Sequence, residues 1–201
     1  MLTLVALGDS TTAGTPGFFS PRERPPAGRG NQESQYAYWL AQKHPEWKIL
    51  NCGVRGQRTD QILKRFDWDV VGNHPDILIM LGGVNDLHQG YHIEWVKDHL
   101  TEIYDKALAA GIKVMACTIL PLDIAPDILK DRIRETNAWI RQNAAKKQLG
   151  FCDTYAALEN PDKPGFLIES PDAIHPGADG YRKMGEAIAA ALEAWLPVKA
   201  S

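Results

Sequence analysis

Four short segments, far apart in the chain, carry residue types that together could perform acyl transfer. They are Gly-Asp-Ser-Thr-Thr at 8–12, Asn-Cys-Gly-Val-Arg-Gly at 51–56, Gly-Gly-Val-Asn-Asp at 82–86 and Asp-Ala-Ile-His-Pro at 172–176. Each segment offers a different part: a serine hydroxyl, an unobstructed backbone amide, a carboxamide donor, and an imidazole beside a carboxylate. Ester hydrolysis by a serine nucleophile needs all of these parts.

The serine and histidine segments supply a candidate nucleophile and its base. Ser10 follows the first predicted strand by three residues, and a serine hydroxyl needs a base within hydrogen-bond reach to react at neutral pH. Asp172 stands three residues before His175, so its carboxylate could bind one ring nitrogen and leave the other to take the serine proton. Taken alone, each segment is better explained as a helix cap or a surface turn.

Two further residues could donate hydrogen bonds to the oxyanion of a tetrahedral intermediate. Gly56 offers an N–H with no side chain in the way, Asn85 offers a carboxamide N–H, and the amide of Ser10 would be the third donor. Gly and Asn are also common in turns, which is the alternative for each residue taken singly. The combination favours catalysis, because Ser10, Gly56 and Asn85 follow the first three predicted strands in turn.

Apolar runs alternate with helical patterns along the chain, which is typical of a parallel sheet flanked by helices. We predict an α/β fold, a three-layer α/β/α sandwich with a five-stranded parallel sheet in the flavodoxin-like order 2-1-3-4-5, in a single domain over 1–201. The predicted strands are 2–7, 47–51, 77–81, 112–117 and 150–152. The predicted helices are 35–43, 59–69, one from Ile93 that ends at Gly111, 127–148, and a last one from Tyr181 that Pro197 stops. Two long irregular loops, 15–34 and 156–171, would emerge at the carboxyl edge of the sheet, where ligands bind.

The composition of the chain excludes several classes of function. With 201 residues, 44% hydrophobic and 23% charged residues and a net charge of −3, it is an ordinary globular sequence without a basic surface for nucleic acid. The concentration of Arg22, Arg24 and Arg29 fits a solvated loop. No run is long enough for a membrane span, and the first apolar run is too short for a signal peptide. We therefore expect a cytoplasmic enzyme, although a secreted form without its leader would look the same.

The four segments resemble the sequence blocks of the SGNH hydrolase superfamily, also called GDSL esterases and lipases. The matching residues are Gly8-Asp9-Ser10, Asn51-x-Gly53-x-x-Gly56, Gly83-x-Asn85-Asp86 and Asp172-x-x-His175, with Thr11 where the family often has leucine or isoleucine. The resemblance implies that Ser10 is the nucleophile, that Asp172 and His175 complete a triad, and that Gly56 and Asn85 are oxyanion donors. The Gly-x-Ser-x-Gly elbow of the α/β-hydrolases is absent from the sequence.

Other residues are candidates for binding or for structure. Leu120, Ile174 and His88 are candidate substrate-binding residues, although the apolar loop around Leu120 could equally pack on the core. Phe18 and Phe19 fit a pocket wall or a dimer contact, so a homo-oligomer stays open. His88 and His92 are spaced like a metal pair, but Gly90 separates them and no third ligand stands out, so we predict no metal and no cofactor. Cys52, Cys117 and Cys152 fit buried apolar positions, with an adventitious bridge between Cys117 and Cys152 as the less favoured alternative.

The leading functional prediction is an esterase that favours short acyl groups, including acetyl groups on sugars. A lysophospholipase or thioesterase of the same superfamily is the main alternative. Two non-catalytic alternatives remain: a flavodoxin-like module that binds FMN at the hydroxyl-rich segment 10–15, and a scaffold that binds acylated ligands without turnover. The first of these leaves Asp172 and His175 without a role.

Overall fold

A computed structural model describes residues 1–19 and 28–196 of the chain. Its centre is a parallel sheet of five strands, in which β2 and β3 both flank β1. The strands are β1 (Thr3–Gly8), β2 (Lys48–Gly53), β3 (Ile77–Leu81), β4 (Lys113–Cys117) and β5 (Gly150–Cys152). Their spatial order is β2-β1-β3-β4-β5, which counted along the chain reads 2-1-3-4-5.

The strands are apolar on both faces because each face is covered by helices. Val5 and Leu7 of β1 point into one apolar cluster, and Leu4 and Ala6 point into the other. The described helices are α1 (Ser10–Ala13), α2 (Tyr36–Lys43), α3 (Thr59–Lys64), α4 (Phe66–Asp69), α5 (Val84–His88), α6 (Ile93–Ala109), α7 (Asp127–Lys147), α8 (Thr154–Leu158) and α9 (Ala178–Trp195). Helices α2 and α9 cover one face, and α3, α4, α6 and α7 cover the other. The predicted three-layer α/β/α class is confirmed.

The prediction of one helix over 59–69 is wrong, because the segment is two short helices that meet at Arg65. Arg65 has φ −100° and ψ 4°, outside the helical geometry, and its guanidinium group binds carbonyl oxygens at the ends of β1 and β2. The predicted helix 127–148 ends one residue early. Gln148 adopts a left-handed conformation with φ 58°, which is a common way for a helix to end.

Both predicted irregular loops contain more regular structure than expected. In the first, the two-residue strands Phe18–Phe19 and Arg29–Gly30 pair antiparallel, and a 3₁₀ turn covers Gln32–Ser34. In the second, α8 extends to Leu158, and Glu159 then forms a bridge with Leu167. Arg22, Arg24 and Pro197, to which the sequence assigned roles, lie outside the described residues.

The three cysteines are buried and carry no disulfide. Cys117 and Cys152 face each other in register on β4 and β5, on the apolar face covered by α2 and α9. The placement of the three cysteines agrees with the prediction that they act as small apolar side chains.

Over residues 1–19 and 28–196, no helix is long and apolar enough to cross a bilayer.

Candidate active site

The end of β1 places Ser10 at the carboxyl edge of the sheet. Gly8 is the last residue of the strand and Ser10 is the first residue of α1, which leaves only Asp9 between them. Asp9 caps the helix, because its Oδ1 accepts a hydrogen bond of 3.0 Å from the backbone N–H of Thr11. A side chain at Gly8 would lie 2.3 Å from the carbonyl oxygen of Leu81, so the tight turn requires glycine here.

His175 joins Ser10 to Asp172 in one chain of hydrogen bonds. The Nε2 atom of His175 lies 2.8 Å from Oγ of Ser10, and its Nδ1 atom lies 2.8 Å from Oδ2 of Asp172. Both Ser10 and His175 are buried, at 6% and 7% exposure, although they are 165 positions apart in the sequence. The three side chains predicted to cooperate therefore meet, at separations that allow proton transfer.

The loop that carries Asp172 and His175 is a tight turn built around the carboxylate. Oδ1 of Asp172 accepts hydrogen bonds from the N–H of Ile174, at 3.0 Å, and of His175, at 2.7 Å. Ala173 between them has φ 62°, a left-handed conformation that is unusual for alanine. Burial opposes the charge of Asp172, but the hydrogen bonds from His175 and Ile174 outweigh it and lower the pKa of the carboxyl group. The turn therefore keeps Asp172 ionised beside the ring.

The two other predicted donors lie on the same cavity. Gly56 has φ 77°, and a side chain there would meet nothing within 4 Å, so the backbone conformation and not the space favours glycine. The Nδ2 atom of Asn85 donates one hydrogen bond to the carbonyl oxygen of Gln57, at 2.9 Å. A carboxamide has two such hydrogens, so the second remains for a ligand.

A cavity of about 160 Å³ adjoins these groups. It is lined by Ser10, His175, Gly56 and Asn85 together with the apolar segment 119–122, Ile124 and other residues. The three candidate substrate-binding residues, Leu120, Ile174 and His88, all line it too. Among the described residues, Phe18 and Phe19 do not line this cavity.

The candidate metal pair is divided between the cavity and another surface. His88 lines the cavity, whereas His92 precedes α6 and lies with Tyr91 and Trp95 around a separate depression. Within the part of the chain that the structure describes, no group of three or more His, Cys, Asp or Glu side chains is placed to hold a metal ion.

Two buried carboxyl groups next to predicted site residues, Asp9 beside Ser10 and Asp86 beside Asn85, were not predicted to have a role. Asp86 accepts hydrogen bonds from the N–H and the hydroxyl of Thr59, and burial raises its pKa. Asp9 is fully buried, and its Oδ2 has no hydrogen-bond partner. Burial and, to a smaller extent, the nearby Asp86 raise the pKa of Asp9 to about 7, against the opposing hydrogen bond from Thr11. The only sign of them in the sequence is their position, since Asp9 directly precedes Ser10 and Asp86 directly follows Asn85.

The raised pKa of Asp9 predicts a pH-dependent cost to stability. Between about pH 4 and about pH 7 the folded protein binds this proton and the unfolded chain does not, so the free energy of unfolding falls as pH rises through that window. Asp9→Asn keeps the oxygen that accepts from Thr11 and cannot ionise. As pH rises, we expect the free energy of unfolding of the variant to increase relative to that of the wild type. The expected gain is roughly 1.4 kcal/mol for each unit by which folding raises the pKa of Asp9.

Urea unfolding of both proteins at about pH 5 and about pH 8 measures this difference directly. A stability difference between variant and wild type that is the same at both pH values would contradict the raised pKa of Asp9.

The profile of the GDSL-like lipase/acylhydrolase family matches residues 6–183, which include all four segments of the site. The chain belongs to the GDSL-like lipase/acylhydrolase family. It is therefore a carboxylic ester hydrolase, and the alternative of a flavodoxin-like FMN module is excluded. No curated protein matches the chain.

Solved structures share the fold of this GDSL family chain over nearly its whole length. A G-D-S-L family protein from Desulfitobacterium hafniense DCB-2 is 26% identical, with a TM-score of 0.80 over 96% of this chain and 100% of that one. The acetylxylan esterase Axe2 from Geobacillus stearothermophilus is 19% identical, with a TM-score of 0.79 over 98% of this chain and 97% of that one. A GDSL-like lipase from Bacteroides thetaiotaomicron is 23% identical, with a TM-score of 0.73 over 96% and 89% of the two chains.

Proposed function

We propose that this hydrolase cleaves esters of short acyl groups through an acyl-serine intermediate on Ser10. The observation that carries the proposal is the unbroken hydrogen-bond chain from Asp172 through His175 to Ser10, at the wall of a small cavity. Asp172 holds the ring so that Nδ1 carries the proton and Nε2 faces the hydroxyl. Ser10 is thus the nucleophile, His175 the general base and Asp172 the orienting acid.

The reaction runs in two similar halves. As the Oγ atom of Ser10 bonds to the acyl carbon, its proton moves to Nε2 of His175 and the carbonyl electron pair moves onto the oxygen. The tetrahedral intermediate then expels the alcohol, which takes the proton back from His175. Water repeats the sequence on the acyl-serine, and the carboxylic acid leaves. Both intermediates place negative charge on the former carbonyl oxygen.

Three donors are available for that oxygen: the backbone N–H of Ser10, the backbone N–H of Gly56 and the free amide hydrogen of Asn85. All three residues line the cavity. Donors held in place before the reaction stabilise the charge without having to reorganise, which is why such groups contribute strongly to the rate. We assign them as the oxyanion hole.

The size of the cavity supports the preference for short acyl groups. Its volume of about 160 Å³ lies well below the range that accommodates drug-sized ligands, roughly 300–1,000 Å³. The structural likeness to an acetylxylan esterase agrees with acetyl groups on sugars as substrates. Ile124 and Ile174 line the cavity and are 49% and 39% exposed. These two apolar side chains offer a surface for a longer acyl chain, which is what the lysophospholipase or thioesterase alternative requires.

A series of p-nitrophenyl esters from acetate to palmitate tests the acyl preference. We expect kcat/KM for the acetate to exceed that for the palmitate at least about tenfold, because the cavity cannot enclose the long chain. Acetylated xylo-oligosaccharides, lysophosphatidylcholine and acyl-CoA, assayed beside them, compare the leaving groups. A rate that rises steadily with chain length would instead support the lysophospholipase or thioesterase alternative.

A further inference from the structure

Arg65 donates hydrogen bonds to four different groups, three of which lie on the segments that lead to the proposed oxyanion donors. Its Nη2 donates to the carbonyl oxygen of Gly8 at 2.7 Å, and its Nη1 donates to the carbonyl oxygen of Cys52 at 2.7 Å and to Oδ2 of Asp69. Its Nε donates to Oε1 of Gln57 at 2.6 Å. Four donated hydrogen bonds from a side chain only 15% exposed fix the guanidinium group in one orientation.

These contacts reach the segments that carry all three proposed donors. Gly8 is two residues before Ser10, and Cys52 is four residues before Gly56. Gln57 follows Gly56 directly, and its carbonyl oxygen accepts the hydrogen bond from the Asn85 carboxamide. Gln57 thus links Arg65 to two of the donors, through its side chain on one side and its backbone on the other.

The backbone around Gly56 forms a turn that is closed by a long hydrogen bond. Gly56 has φ 77°, and the N–H of Gln57 makes a long hydrogen bond of 3.4 Å to the carbonyl oxygen of Val54. The Val54 N–H shares the carbonyl oxygen of Gly8 with Arg65, at 3.1 Å. A turn of this kind, exposed at Gly56, needs a rigid partner if its amide is to keep one direction during catalysis.

We infer that Arg65 is a positioning residue that aligns the Gly56 amide and the Asn85 carboxamide on the reacting carbonyl oxygen. The inference rests on the proposed function, because it concerns the oxyanion that Ser10 would generate. The break between α3 and α4 occurs at Arg65 itself. From this position its guanidinium group contacts the ends of β1 and β2.

The test uses Arg65→Lys and Gln57→Met, with Arg182→Lys as the matched control. A lysine keeps the charge but cannot bind all four partners at once, and methionine keeps the volume of Gln57 but offers Nε only a weakly accepting sulfur. Arg182 is likewise held by several hydrogen bonds, to the carboxylates of Asp179 and Glu186, but on the exposed surface of α9. Gln57→Met removes one contact only, so it keeps the test valid if Arg65→Lys fails to fold.

A displacement of about 1 Å at a reacting centre can cost on the order of 100-fold in rate. We therefore expect kcat to fall roughly 10- to 100-fold in Arg65→Lys and less in Gln57→Met, with KM nearly unchanged. The inhibition constant of an aryl trifluoromethyl ketone, which forms a tetrahedral oxyanion on the serine, is expected to rise by the same factor as kcat/KM falls. The double variant is expected to lose no more activity than Arg65→Lys alone, and Arg182→Lys to match the wild type.

Folded Gln57→Met and Arg65→Lys with wild-type kcat and wild-type ketone inhibition would overturn this role, even if their melting temperatures are lower. That result would leave the proposed function intact, because wild-type turnover would still depend on Ser10. A wild type that neither hydrolyses p-nitrophenyl acetate nor binds the ketone would instead overturn the proposed function and this role with it.

Discussion

Ser10→Ala is expected to lower kcat for p-nitrophenyl acetate by a factor on the order of 10⁶, because removal of a catalytic serine costs about this much in a serine hydrolase. The change deletes only Oγ, whose neighbour in the fold is Nε2 of His175. Without that oxygen no acyl-enzyme can form, and the residual rate reflects the oxyanion donors and substrate binding alone. The rate of p-nitrophenolate release, in stopped-flow or steady-state assays, measures this loss of kcat.

Ser34→Ala is the matched control for this variant. Ser34 is as buried as Ser10, at 6% exposure, and lies in the 3₁₀ turn Gln32–Ser34 away from the cavity lining. We expect it to keep the wild-type kcat. Equal activity in Ser10→Ala and the wild type, with both proteins folded, would show that Ser10 is not the nucleophile.

Asp172→Asn is expected to lower kcat by about 10⁴, the loss typical when the acid that orients a catalytic histidine becomes an amide. The asparagine retains the Oδ1 atom that accepts from the N–H groups of Ile174 and His175, so the turn survives. Its amide group would face Nδ1 of His175 as a donor. The ring would then carry its proton on Nε2 and could not accept one from Ser10.

Asp179→Asn serves as the control, since Asp179 has a similarly lowered pKa, caused by Arg182, but does not touch His175. We expect the control to be fully active and the two variants to unfold at similar temperatures. Activity within tenfold of the wild type in Asp172→Asn would contradict the orienting role of the carboxylate.

The sequence was sufficient to predict the sheet because its buried strands are short apolar runs. Ile77–Leu81 is apolar at every position and is covered on both faces in the structure. Residue types at the strand ends predicted which side chains would meet, since the carboxyl ends of parallel strands lie at one edge. The contact between Ser10 and His175 depends on this edge and on one turn before α9.

The break at Arg65 could not be predicted because the apolar spacing of Ile62 and Phe66 continues a helix without interruption. The reason for the break is tertiary: the guanidinium group binds the ends of two strands that are distant in the sequence. The left-handed conformation of Ala173 is hidden for a different reason: it belongs to a local turn around the Asp172 carboxylate, and alanine is a residue that rarely adopts this conformation. The unpaired oxygen of Asp9, like the break at Arg65, depends on residues that are distant in the sequence.

The most direct test of the account is the site at which a fluorophosphonate probe reacts. The probe phosphonylates an activated serine and releases fluoride, so intact mass and peptide mapping identify the residue. We predict a single adduct, on Ser10, in the wild type, none in Ser10→Ala, and greatly slowed labelling in Asp172→Asn. An unlabelled wild type, or an adduct on another residue with Ser10 unmodified, would contradict the assignment of Ser10 as the nucleophile.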